Sequence, residues 1–195
     1  QNASIEDLLE VRMGLECNAA TLAAKRADET DITAMTQSIH EMQAEIESGR
    51  LGTEADTAFH MAIAYAAKNP LHILIMRNFY DYLFLGIGEN LACLYEDPKN
   101  IQEILRQHHS ILAAIKARDP YRAYTVMNEH INFVLTFFKD RAQFLKGAIC
   151  GDEVAIMEGQ SSAMLHTYAL SNTLVYVPLE MKSIKKGESV ECILI

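Results

Sequence analysis

The chain has 195 residues, 50% of them hydrophobic and 22% charged, with nine glycines, four prolines, four cysteines and a formal net charge of −9. Such a composition is that of a soluble globular protein and excludes a disordered chain, a collagen-like repeat and a small disulfide scaffold. The charge divides as −6 over residues 1–146 and −3 over residues 147–195, so neither part carries the clustered Lys and Arg that nucleic-acid phosphates require.

The predicted elements follow in chain order. Ser4 before Ile5-Glu-Asp7 reads as a helix start, with no basic and apolar leader ahead of it, so the chain opens as a fragment would. Helix one is expected from about Ile5 to Lys25, and helix two from after Asp28 to the glycine at Ser48-Gly49. Helix three follows Thr53 and stops at Asn69-Pro70, because the residue before proline is pushed out of helical geometry. Helix four covers about Leu71 to Tyr95. Its most apolar stretch is interrupted by Arg77, Asp81 and Glu89, so no membrane span is expected. Asp97-Pro98 and Asp119-Pro120 each place a capping carboxylate before a proline at the first helical position, and these open helices five and six. The expected fold is mainly α: an antiparallel bundle of about six helices over residues 1–146, with any ligand site between the inward faces. Residues 147–195 change character, with short β-like runs at Val154–Met157, Thr173–Val177 and Val190–Ile195, and form a small second unit that docks on the bundle or on a partner subunit. The scattered Cys17, Cys93, Cys150 and Cys192 form no C-x-x-C pair and indicate a reducing, cytoplasmic setting.

Three helices share one anomaly. Helix three aligns Asp56, Phe59, His60, Ile63, Ala66 and Ala67 on its inward face. In helix five, His108 sits at the centre of an Ile101, Ile104, Leu105, Ile111, Leu112 and Ile115 stripe, and helix six lines up Ala123, Met127, His130, Val134 and Phe137. One carboxylate and three imidazoles in an apolar interior cost several kcal/mol if left alone, and a shared divalent metal resolves that cost. Such donors suit Zn²⁺, Ni²⁺, Fe²⁺ or Mn²⁺ without choosing among them, Zn²⁺ being taken as the first expectation, and leave coordination positions open for water or a small anion. His109, at the edge of the stripe, is a competing ligand for His108, whereas His40, His72 and His166 have no such setting and are expected in solvent or against a partner. Helix one turns Arg12 inward with Leu8, Leu15, Ala19 and Leu22. Arg12 either grips the carboxylate of a small organic acid or pairs with Glu16 or another acid of the chain.

The run Asp7-Leu-Leu-Glu-Val-Arg-Met-Gly-Leu-Glu16, then Asp56-x-x-Phe-His60, His108-x-x-Ile-Leu-Ala-Ala-Ile115, Asp119 and Met127-x-x-His130, resembles the FCD ligand-binding domain of GntR-type bacterial transcription regulators over about residues 4–140. That resemblance implies a divalent metal held by Asp56, His60, His108 and His130, which favours His108 over His109. It also implies a small carboxylate effector, a homodimer, and DNA contact only through an amino-terminal helix-turn-helix domain that the chain shown lacks. The tail, through Gly159-Gln-Ser-Ser-Ala-Met-Leu165, Ser171–Pro178 and Lys186-Gly-Glu-Ser-Val190, resembles the C-terminal β domain of MoeA-type molybdopterin molybdotransferases, beginning as early as Arg141, without that enzyme's catalytic domains. A non-enzymatic sensor is therefore expected. A metalloenzyme acting on a small acid would need a general acid or base beyond Asp56, and a purely structural metal in a dimerisation module would show a closed coordination sphere.

Overall fold

The computed structural model describes residues 5–139, 143–151, 153–156, 171–177 and 184–194. Six helices come first: α1 (Ile5–Arg26), α2 (Glu29–Glu47), α3 (Thr53–Ala66), α4 (Pro70–Tyr95), α5 (Pro98–Lys116) and α6 (Pro120–Lys139). Their starts are chemical. Asp28 accepts from the Asp31 backbone N–H while the Asp31 side chain accepts from that of Asp28, closing a capping box at α2. Asn69 caps α4 and Asp97 caps α5, each before a proline at the first helical position. Asp119 accepts from the Arg122 N–H at 2.9 Å and caps α6 in the same way. α3 is the exception, since Gly52 precedes it in the left-handed region (φ 78°) with no side-chain cap.

The helices form an antiparallel bundle. α1 packs on α3, α4 and α5, and α2 packs on α3 and α5. The core between them holds Leu9, Phe59, Ile63, Ile104, Ile111 and Ile115 at 0–1% exposure, so the stripes predicted for α3 and α5 do face inward. Among the described residues, no helix is long and apolar enough to cross a membrane.

Among the described residues four strands follow: β1 (Gln143–Cys150), β2 (Glu153–Ile156), β3 (Thr173–Val177) and β4 (Glu191–Leu194), in an antiparallel sheet of order β2-β1-β3-β4. β2, β3 and β4 coincide with the three β-like runs. β1 begins before the change of composition at residue 147, so Gln143–Lys146 lies in a strand rather than in the helical part, in keeping with the start near Arg141 that the tail's resemblance implies. Phe144 pairs with Tyr176 and Lys146 with Leu174, partners that lie about thirty residues onward and leave no local signal. A Cβ on Gly147 would come within 2.9 Å of Val154 and 3.2 Å of Thr173 and Val175, so only glycine fits between the neighbouring strands. The chain divides into two compact units, one spanning Ser4–Leu135 and the other beginning at Thr136.

Candidate metal centre

His60, His108 and His130, from α3, α5 and α6, converge in the bundle interior. Each offers one ring nitrogen, and these three atoms lie within 4.8 Å of one another. All three residues are buried, at 1%, 0% and 1% exposure. The rings are neighbours, with centroids 5.0–5.3 Å apart, and His108 also stacks on Phe59 at 4.4 Å. Asp56, one turn before His60, brings its Oδ1 to 3.2 Å from His108 Nε2 and 3.8 Å from His60 Nε2. His109, by contrast, is exposed, so helix geometry selects His108.

The donor set fits a cation. Asp56 Oδ1, His108 Nε2 and His130 Nε2 are buried and make no hydrogen bond among the described residues, although His108 Nε2 and Asp56 Oδ1 stand close. Protein interiors seldom leave such atoms orphaned, and a divalent ion satisfies all of them at once. Their protonation states agree with this. Burial drives the imidazoles of His108 and His130 down, toward the neutral form that ligates metals. Burial alone would raise the Asp56 carboxyl, but His108 and His60 outweigh it and hold the group ionised, well below the usual carboxylate range.

Several surrounding groups orient these side chains. Gln107 Oε1 lies 2.8 Å from His130 Nδ1, which fixes the proton on Nδ1 and frees Nε2. Tyr95 donates a hydrogen bond to the Asp56 carboxylate, and burial keeps its phenol protonated. Glu16 is 2% exposed, and its Oε2 lies against His60 Nδ1.

Arg12 stands beside this cluster at 3% exposure. The intrahelical pair with Glu16 is present, Nε to Oε1 at 2.5 Å, and Nη2 reaches both His60 Nε2 at 3.2 Å and the Tyr80 hydroxyl at 3.3 Å. Burial opposes the charge on Arg12, yet Glu16 and Tyr80 raise its pKa further, so the guanidinium stays charged. Burial likewise opposes ionisation of Glu16, but Arg12 and His60 hold it as a carboxylate.

Gln107, Tyr80 and Tyr95 carry no signal in the sequence beyond a polar residue next to His108 and two phenols in an apolar helix. His72 departs from expectation: it is 8% exposed rather than in solvent, because α4 turns it toward the Leu15 backbone of α1. His166 and the Gly159–Leu165 run lie outside the described residues.

The comparisons with known proteins agree with this architecture. Residues 7–133 match the FCD domain, and residues 133–195 match the MoeA C-terminal region (domain IV). The chain is 30% identical over 139 residues to the Glc operon transcriptional activator of Escherichia coli strain K12, covering 69% of this chain and 55% of that protein. It is 31% identical over 131 residues to the HTH-type transcriptional regulator LutR of Bacillus subtilis, covering 67% and 60%, and 31% identical over 133 residues to the putative L-lactate dehydrogenase operon regulatory protein of Escherichia coli strain K12, covering 68% and 51%. The chain thus spans 51–60% of the length of these relatives, all named as regulators. Two solved structures share the fold: Streptococcus agalactiae GntR, with TM-score 0.55, 22% identity and 66% and 56% coverage of this and that chain, and E. coli McbR/YncC, with TM-score 0.59, 21% identity and 68% and 63% coverage. With a helical unit of this sequence and architecture, and a tail resembling the MoeA C-terminal domain, the chain belongs to the FCD domain family.

Proposed function

We propose that this chain is the effector-sensing and dimerisation part of a GntR-type transcription regulator. Asp56, His60, His108 and His130 hold a divalent ion, with Zn²⁺ first among the candidates and Ni²⁺, Fe²⁺ or Mn²⁺ behind it. When bound, the ion supplies open coordination positions for the oxygen atoms of a small carboxylate. Arg12, buried beside the ligands, takes the acid's carboxylate through its planar fork. Binding of such an acid then favours one packing of the bundle over another and changes how a homodimer presents helix-turn-helix domains that lie outside this sequence.

One observation carries the reading: orphaned Asp56, His108 and His130 atoms lie in the same buried cluster as a charged guanidinium. The regulators it matches add support, one of them named for an L-lactate dehydrogenase operon, which makes a hydroxy acid the first class to try. The protein is regulatory rather than enzymatic, and an intracellular location accompanies that role. The helical domain ends with α6, and the β domain, a dimer-stabilising appendage, runs from β1 onward, a few residues before the change of composition at residue 147.

The test is a thermal-shift screen of small acids on the metal-loaded chain, repeated on Arg12→Lys, which keeps the charge beside Glu16 but loses the fork. A shift from one acid class in the parent, weakened in the variant with metal content unchanged, is expected. Metal without any acid response would move the reading to a structural ion.

A further inference from the structure

Glu16 holds three groups at once. Its Oε1 accepts from Arg12 Nε at 2.5 Å and from the Tyr80 hydroxyl at 2.8 Å, and its Oε2 lies against His60 Nδ1. The carboxylate thus joins α1, α3 and α4 inside the same cluster, at 2% exposure. Two consequences follow from elementary hydrogen bonding. A carboxylate has only acceptors to offer, so His60 Nδ1 carries the proton and Nε2, the nitrogen 3.8 Å from Asp56 Oδ1, keeps a lone pair, which in the metal-free chain accepts from Arg12 Nη2 at 3.2 Å. The Arg12 Nε–H, one of the donors that grip a carboxylate in a fork, is already taken by a carboxylate of the chain itself.

We propose that Glu16 is a positioning residue that couples the two halves of the site: it orients His60 toward the ion, and it competes with an incoming acid for Arg12. The inference rests on the roles given above to His60 and Arg12. An acid that takes the Arg12 fork releases Glu16 Oε1 and draws Arg12 Nη2 from the Tyr80 hydroxyl 3.3 Å away, leaving Glu16 as the acceptor of Tyr80, and so re-pairs a buried contact between α1 and α4. Acid uptake thereby reaches helix packing through a named group.

The variant Glu16→Gln tests it, because glutamine keeps the size and an acceptor but loses the charge. The chain is stripped with chelator, its fold checked by circular dichroism, and Zn²⁺ affinity measured against a chromophoric chelator. Acetate, the smallest stable carboxylate with a methyl group, is then titrated onto the zinc-loaded form. Zinc affinity is expected to fall roughly tenfold. Acetate affinity is expected to rise several-fold, because the Arg12 fork is available in a larger fraction of molecules. Opposite signs on the two ligands are not the mark of a loosened fold. Loss of both affinities together, no change in either, or no acetate binding to the variant overturns the proposal. Zinc uptake by the parent with unopposed changes in the variant removes only the role of Glu16, whereas failure of the parent to take up zinc removes the functional reading as well. Should the variant not fold, histidine ¹⁵N spectra of the parent decide: a proton on His60 Nδ1 is expected, and a proton on Nε2 overturns the proposal.

Discussion

Replacing His108 with leucine separates the cost of the site from its use. His108 is 0% exposed, and neither of its ring nitrogens makes a hydrogen bond among the described residues. An orphaned buried nitrogen costs on the order of 1–3 kcal/mol in the metal-free chain, so removing two of them relieves roughly 2–6 kcal/mol. Leucine is close in volume but gives up the ring stack on Phe59, worth about 1 kcal/mol. The net expectation for His108→Leu is a gain of about 1–5 kcal/mol without metal. A helical unit of roughly 130 residues changes its melting temperature by about 3–4 °C per kcal/mol, so the metal-free variant should melt about 3–20 °C above the parent. Zinc at a hundredfold excess over its Kd adds about 2.7 kcal/mol to the parent, a further rise of about 8–10 °C, and most of that increment is lost in the variant. Scanning calorimetry of both proteins, stripped and reloaded, reads the four values. A variant that melts below the parent when stripped, yet keeps the full zinc increment, would refute the reasoning.

Other consequences are testable in the same preparation. Arg12→Ala removes the guanidinium that pairs with the buried Glu16 carboxylate, leaving it only His60 and the Tyr80 hydroxyl, and should cost about 3–5 kcal/mol of stability in denaturant unfolding, far more than a surface arginine would. Acidification should destabilise the metal-free chain in two stages. His108 and His130 have folded-state pKa values depressed below the ordinary value near 6.5, so the unfolded chain binds protons first and stability falls as pH drops below about 6.5. Glu16 and Asp56, held as carboxylates in the fold, contribute stability that is present above about pH 4–5 and lost as pH falls further. A flat stability profile between pH 7 and pH 5 would count against neutral buried imidazoles. In the second unit, Gly147→Val should destabilise the sheet by at least 1–3 kcal/mol and leave the zinc affinity of the helical unit unchanged, as limited proteolysis and metal titration would show.

Much of the bundle was legible because its boundaries are written in local chemistry. Asp28, Asn69, Asp97 and Asp119 satisfy helix-end N–H groups with their own side chains, and the prolines after three of them are compatible only with a first turn. The convergence of three interior histidines was legible for a related reason. An imidazole at the centre of an apolar stripe, as His108 is between Leu105 and Ile111, has no local explanation and calls for a distant partner. What escaped the sequence depends on distant pairing. β1 follows α6 after three residues, and its apolar spacing fits either structure until β3 is beside it. Glu16, named only as a neighbour of Arg12, is buried because α3 and α4 bring His60 and Tyr80 against it. Gln107 reads as a surface polar residue until α6 places His130 within 2.8 Å.

The central claim is that the three interior histidines and Asp56 exist to hold an ion. Elemental analysis of the purified chain, without a histidine tag and after reloading with Zn²⁺, Ni²⁺, Fe²⁺ and Mn²⁺ in turn, tests it most directly, with His108→Ala alongside. The account predicts about one ion per chain in the parent and a large loss in the variant. A parent that retains no metal from any of the four, or a variant that retains as much as the parent, would contradict it.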